Sequence, residues 1–209
     1  MTIKINEIFY SIQGESSYAG WPCVFVRLTG CNLRCSYCDS HYAFYDGTDM
    51  SIPEIIKEVE KYNCNLVEVT GGEPLLQNET PDLIRSLLDA GYRVLVETNG
   101  SQNISVLDER AVTIMDIKCP FSEMVTHNDL TNLSRLRQHD EVKFVIGSIG
   151  DYRFARKVLN DYELELTDIT VHFAPVDGKM PASMLADWIL GDGLNVRLNL
   201  QLHKIIEMK

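Results

Sequence analysis

Short apolar runs recur along the chain, each closed by polar residues: 23–30 (CVFVRLTG), 66–72 (LVEVTGG), 93–100 (RVLVETNG), 112–118 (VTIMDIK), 141–147 (EVKFVIG), 169–175 (ITVHFAP) and 195–203 (NVRLNLQLH). Their β-branched residues and near-continuous hydrophobicity predict strands covered on both faces. Between them the apolar positions take helical spacing. Over 51–62 (SIPEIIKEVEKY), Ile55, Ile56 and Val59 form one stripe, Ser51 is placed to cap, and Glu54 completes a capping box. Over 80–91 (TPDLIRSLLDAG), Thr80 is read as the cap, Pro81 stands in the first turn and Gly91 is the stop. Further helices are predicted near 130–138, 151–162 and 181–190, with a short one around 103–110. Strands alternating with helices make right-handed βαβ units and a parallel sheet.

Six or seven such units are too few for a closed eight-stranded barrel, but an open doubly wound sheet and an incomplete barrel both fit. The polar positions favour the second. Arg27 and Thr29, Thr70, residues 97–99, Asp116 and Lys118, His172, Gln201 and His203 all fall at the C-terminal ends of their runs. Polar groups gathered at strand C-termini mark the active face of a β/α barrel. The expected fold is therefore α/β, an incomplete (β/α)6-type barrel. Lys143 enters its run early and is expected to point elsewhere.

Composition narrows the partners. With 209 residues and 45% hydrophobic content, a single domain spanning 1–209 is expected. A net charge of −11 argues against broad capture of nucleic acid or anionic membrane, and leaves room for a small anion in a local basic pocket. No apolar run approaches the ~20 residues of a membrane span, and MTIKINEIFY lacks the layout of a signal peptide, so a cytoplasmic protein is expected. Cys23, Cys64 and Cys119 sit in or beside apolar stretches and read as small buried hydrophobes. Cys31, Cys35 and Cys38 are different, because they crowd one loop after the first run. A structural zinc site wants four ligands, which would require recruiting His41 or Cys64. An iron–sulfur cubane normally takes four cysteines as well; with three, one iron stays open to another ligand.

The spacing C-x3-C-x2-C, with Tyr37 before the last cysteine, resembles the signature of the radical S-adenosylmethionine (SAM) superfamily. The resemblance implies a 4Fe–4S cluster on Cys31, Cys35 and Cys38 whose open iron chelates SAM, and one-electron cleavage to a 5′-deoxyadenosyl radical. TGGEP (70–74) resembles the superfamily's glycine-rich segment for the methionine amino group, with Gly72 at the methionine end and Glu73 answering the ammonium.

Over nearly the whole chain, FYSIQGE, G-x-P-x-x-F-V-R, the loop ending CD, TGGEP, ETNG, DIKCP and QLHK are similar to the 7-carboxy-7-deazaguanine synthase family. That similarity implies a lyase contracting 6-carboxy-5,6,7,8-tetrahydropterin to 7-carboxy-7-deazaguanine with loss of ammonia, in queuosine and 7-deazapurine biosynthesis. It places Ile12, Gln13, Gly14 and Glu15 at the pterin edge, Arg27 on the substrate carboxylate, and Thr70 against substrate. It gives the backbone of Tyr37, Ser36 or Asp39 to the adenosine, and Cys38, Asp116, Ile117, Lys118, Ala174, Pro175, Val176 and Asp177 to the same cofactor. Mg²⁺ would bind Ser40, where the family more readily carries threonine. His203 and the carboxylate of Lys209 would reach the guanidine-like edge. A homodimer and an external electron donor such as flavodoxin are further implications. The nearest alternative is a radical SAM activase acting on a partner protein, which shares the cysteines and GGEP but has no use for Gln13 with Arg27. From another class, the rival is a zinc-stabilised binding module.

Overall fold

The computed structural model describes residues 2–208. Strand β1 (Thr2–Ile12) runs antiparallel to β2 (Pro22–Leu28), and β3 (Thr48–Ser51) pairs with the other side of β1, again antiparallel. From β2 onward every pairing is parallel, through β4 (Leu66–Gly71), β5 (Arg93–Thr98), β6 (Val112–Ile117), β7 (Glu141–Ile146) and β8 (Thr170–Pro175) to the two-residue β9 (Arg197–Leu198). The sheet order β3-β1-β2-β4-β5-β6-β7-β8-β9 leaves two free edges, so the barrel is open, as the strand count predicted. Helices α1 (Ile52–Val59), α2 (Thr80–Asp89), α3 (Ile149–Asp161) and α4 (Ala182–Asp192) connect its strands, and the short α5 (Leu202–Ile205) follows β9. Among the described residues, no helix is long and apolar enough to cross a membrane.

Alternation along each parallel strand divides the residues between two faces. Val24, Val26 and Leu28, Val67 and Val69, Val94 and Val96, and Val142 and Phe144 belong to the main core with the helices. The opposite face carries a smaller apolar floor of Cys23, Phe25, Leu66, Leu95, Val112 and Ile114. Toward the C-terminal ends this inner face turns polar, with Arg27, Glu68, Thr70, Glu97, Asp116 and Lys143. The outer face supplies the burial that holds the sheet, at about 1.5–3 kcal/mol for each fully covered aliphatic side chain. The inner face is left for chemistry.

Several local expectations need correction. Two strands, β1 and β3, lie outside the seven predicted runs: β1 is covered mainly at Ile3 and Ile5 and half-exposed beyond, so it lacks the continuous apolar signal of its neighbours. Residues 104–106 and 130–135 form 3-10 turns in place of α-helices. Tertiary bonds set that geometry: the buried Asn132 accepts from the Ile104 N–H at 3.2 Å and donates to the carbonyls of Gly100 and Gln102 at 3.0 and 2.7 Å. Thr80 is the first helical residue and not the cap; its hydroxyl donates to the Pro74 carbonyl at 2.6 Å. The capping box of α1 is present, with Glu54 Oε2 accepting from the Ser51 N–H at 2.8 Å and from its hydroxyl at 2.6 Å. The run 195–203 is strand only at Arg197–Leu198.

Candidate active site

A cavity of about 900 Å³ opens at the C-terminal ends of the parallel strands. The three-cysteine loop forms one wall. It leaves β2 through Gly30, whose φ of +101° suits glycine. The Cys38 N–H donates to the Cys35 carbonyl at 3.1 Å, and the Leu33 N–H donates to Cys31 Sγ at 3.4 Å. Arg34 braces the loop from outside, donating to the carbonyls of Cys31 and Leu33 at 2.8 and 2.6 Å and covering the Phe44 ring at 4.1 Å. The far end is fastened to the 120–122 turn: the Ser36 hydroxyl donates to the Phe121 carbonyl at 2.5 Å, and the Tyr37 and Phe121 rings stack at 6.4 Å. That turn is held in its own right, since the Phe121 N–H donates at 2.7 Å to Asp151 in the first turn of α3.

All six cysteines are free thiols. Burial pushes the Cys31 and Cys35 thiols above their ordinary range. Among the described residues, no three such side chains are drawn into a closed ligand cage, so the thiols share a wall without enclosing a centre. Cys64 cannot complete a zinc set with them. It precedes β4 at the opposite end of the barrel, where its thiol donates to the Pro22 carbonyl at 3.2 Å.

The glycine segment packs directly against the loop. A Cβ on Gly72 would meet the Gly30 carbonyl oxygen at 2.2 Å and Cys31 Cβ at 2.6 Å, so lack of space demands glycine there. Glu73 does not line the cavity. Its fully buried carboxylate accepts from the Leu75 N–H at 3.0 Å, the Thr98 hydroxyl at 2.8 Å and the Asn99 N–H at 2.6 Å, which fixes Asn99 beside Cys31. Burial raises its pKa, against the pull of those bonds.

Opposite the cysteines stands the turn after β1. Gln13 accepts the Glu15 N–H at 2.8 Å and donates from Nε2 to Glu68, so its amide is oriented from both ends. Gly14 lies under His203: a Cβ there would meet His203 Nδ1 at 1.9 Å. The Gly14 carbonyl accepts from the Leu202 N–H at 2.8 Å, which ties the turn to the C-terminal segment. Arg27 Nε donates to Glu7 at 3.0 Å, with the Phe9 and Tyr42 rings 5.8 and 5.9 Å from the guanidinium carbon. Asp39 accepts from the Ser40 hydroxyl at 3.0 Å and pairs with Lys204 at 3.1 Å. Although burial works against it, Lys204 holds that carboxyl below its usual range.

The cavity thus brings together nearly all of the residues named from sequence: Ile12, Gln13, Gly14, Glu15, Arg27, the cysteines, Ser36 to Ser40, Thr70, Gly72, Asp116, Lys118, Ala174 to Asp177 and His203. It omits Glu73 and also Ile117, which alternates to the helix side of β6 and joins the main core. His172 is off the lining too, buried against Glu141 at 2.7 Å. Lys209 lies outside the described residues. Lys143, expected to point away, is buried in the cavity wall among Glu15, Glu97 and Asp116. Glu97 and Asn99 were placed on the active face from sequence without a role, and Glu68 was missed. For Glu68 the available signal was a charge inside an apolar strand, which burial tolerates only when paired.

Two buried polar atoms on this lining, Tyr37 Oη and Asp116 Oδ1, have no protein partner among the described residues. Lys118 and Lys143 approach the other oxygen of Asp116, at 2.9 and 3.6 Å, which leaves Oδ1 for a ligand.

An open parallel barrel with three thiols after its first parallel strand, and a tight glycine segment after the second, defines the radical SAM class. Residues 25–117 match the Radical SAM superfamily. The chain is 46% identical to the 7-carboxy-7-deazaguanine synthase of Koribacter versatilis, covering 98% of this chain and 96% of that one, and 45% identical to that of Chlorobaculum tepidum, covering 98% and 94%. It belongs to the 7-carboxy-7-deazaguanine synthase family. The crystal structure of QueE from Escherichia coli shares the fold, with a TM-score of 0.79 at 21% identity over 97% of this chain and 95% of that one. A radical SAM methyltransferase from Sphaerobacter thermophilus has a TM-score of 0.61 at 11% identity, over 89% of this chain and 67% of its own.

Proposed function

We propose that this chain is a single-domain radical SAM lyase that converts 6-carboxy-5,6,7,8-tetrahydropterin to 7-carboxy-7-deazaguanine with loss of ammonia. The observation carrying this reading is that the cysteine loop, Arg27, the 12–15 turn and the Asp116 strand end all line one cavity. Cys31, Cys35 and Cys38 would hold the 4Fe–4S cluster, whose iron would favour the thiolate form of each ligand. With SAM, the cluster would supply the one-electron chemistry that removes a hydrogen atom from C6 of the substrate.

The protein's own groups bind and orient. Gly72 sets the approach of the methionine end, while Asp116 Oδ1 and the strand end 174–177 face the rest of SAM. Because Nε of Arg27 is engaged by Glu7, the two Nη groups are left for an end-on pair with the substrate carboxylate. Gln13 and Gly14 meet the pterin edge under His203. Ser40 offers Mg²⁺ one hard oxygen, so the substrate carboxylate and waters complete its shell. Such a site needs no strong acid or base for the first step. It must hold C6 beside the radical and keep water away. A homodimer in the cytoplasm, reduced by an external donor such as flavodoxin, completes the proposal.

The test is an anaerobic assay of the iron-reconstituted protein with substrate, SAM, Mg²⁺ and a reductant, read by mass spectrometry. The expected product is 7-carboxy-7-deazaguanine, abolished by Cys35→Ala. 5′-Deoxyadenosine without deazapurine would overturn the substrate assignment.

A further inference from the structure

β7 presents two inward charges, Glu141 and Lys143, and both reach toward the turn that follows β1. Glu141 Oε2 accepts the Ser17 N–H at 3.0 Å and is backed by His172. Lys143 Nζ pairs with Glu15 at 2.8 Å, donates to Glu97, and stands 3.6 Å from Asp116. Each carboxylate belongs to a different part of the site. Glu15 ends the substrate turn and also accepts from Gln201 Nε2 at 2.8 Å, next to the His203 segment. Asp116 ends the strand that faces the cofactor. Glu97 lies between them and accepts from the Thr70 hydroxyl at 3.4 Å.

We infer that Lys143 is a positioning residue for the reaction: one buried ammonium fixes the distance between the substrate turn, through Glu15, and the cofactor strand, through Asp116. The inference rests on the proposed function for what the two halves bind. Without that ammonium, three carboxylates would face one another across the wall, and the turn at Glu15 would move away from Asp116. Burial alone would discharge a lysine. The surrounding Glu15, Glu97 and Asp116 outweigh it and hold Lys143 well above its ordinary range. Glu15, opposed by its own burial, is brought down to about 2 by Lys143 and the bonds from Gln201 and Lys143.

Hydrogen transfer is sensitive to such spacing, since a displacement of about 1 Å can cost about 100-fold in rate. SAM cleavage at the cysteine wall does not depend on where the pterin lies. A misplaced substrate therefore leaves deoxyadenosine forming while product fails, and this uncoupling is a readout that a general loss of structure would not give.

The experiment compares wild type and Lys143→Met as cluster-loaded enzymes, measuring iron content, deoxyadenosine and deazapurine in the same samples. The variant is expected to keep its iron and to make deoxyadenosine in several-fold excess over product, with product formation down about 100-fold. Deoxyadenosine and product falling together in unchanged ratio would overturn the inference. If Lys143→Met does not fold, Glu15→Gln decides: it leaves Lys143 two carboxylates and is expected to uncouple about tenfold, and an unchanged ratio there overturns the inference equally. SAM affinity measured without substrate tests the Asp116 arm apart from the substrate assignment. It should weaken several-fold in Lys143→Met, and an unchanged affinity overturns the inference even where wild type makes no deazapurine.

Discussion

Gly72→Ala tests whether the glycine segment and the cysteine loop act as one packed unit. The added Cβ would stand 2.2 Å from the Gly30 carbonyl oxygen and 2.6 Å from Cys31 Cβ, where backbone and a loop anchor leave no flexible tip to swing aside. Relief requires the two loops to separate by about 1 Å, since interior carbon contacts settle near ~3.5 Å. That separation pulls on the Glu73 N–H bond to the Gly30 carbonyl, at 2.8 Å. Overpacking costs about 1–3 kcal/mol, and weakening a buried backbone hydrogen bond adds about 1 kcal/mol. A total near 3 kcal/mol lowers the melting temperature by roughly 6–12 °C for a chain of this size. Because Cys31 is what moves, deoxyadenosine formation should fall by about 100-fold or more. Gly91→Ala is the control: its φ is +92° with nothing within 4 Å of the added carbon, so it carries backbone strain alone, about 1 kcal/mol. It should lower the melting temperature modestly and leave SAM cleavage intact. Gly72→Ala cleaving SAM within threefold of wild type would refute the packing argument.

Two further outcomes follow from charge and coordination. Burial, and then the charge of Glu97, raises the Glu68 carboxyl well above 4.5; a raised acid favours the folded state below its unfolded pKa and loses that favour as pH climbs through the folded value. Glu68→Gln keeps an acceptor for Gln13, so its melting temperature should match wild type near pH ~4.5 and exceed it increasingly toward pH ~8, and parallel curves would contradict this. Ser40→Ala should raise the Mg²⁺ concentration for half-maximal activity by about tenfold, with Ser40→Thr restoring it, because the proposed Mg²⁺ site takes a hard oxygen from Ser40; an unshifted Mg²⁺ titration would remove Ser40 from the site.

The parallel strands were legible because both of their faces are covered, which leaves a continuous apolar run in the sequence. β1 was not, since its buried apolar positions end with Ile5 and most of the strand beyond is half-exposed or exposed. Candidate residues were found where a motif marks them, but sequence gives types without directions. Glu73 in GGEP reads as a ligand for an ammonium, whereas the Leu75 N–H and two donors at the end of the next strand, the Thr98 hydroxyl and the Asn99 N–H, claim its carboxylate. Lys143 reads as a stray charge until register is known. The pairing of Asp116 with Lys143, and of Lys143 with His172, turns it inward. Neither fact lies within one segment, because strand register is a property of the assembled sheet.

That register also explains how a chain of net charge −11 can accept an anion. Lys143 is surrounded by three carboxylates and Lys118 is bound to Asp116, so neither ammonium presents uncompensated charge to a ligand. Arg27 is different. Among the described residues its ion-pair partner, Glu7, takes Nε, and the Phe9 and Tyr42 rings flank the guanidinium. Positive potential is therefore concentrated at Arg27, while acidic groups gather on the wall built from Glu15, Glu68 and Glu97. A substrate with a carboxylate at one end and a guanidine-like edge at the other meets attraction of opposite sign at its two ends. Only one orientation satisfies both, because reversal would set the carboxylate against acids and the N–H edge against Arg27. On the proposed function, selecting that orientation would direct C6, which bears the carboxylate, toward the cysteine wall, where the hydrogen atom would leave.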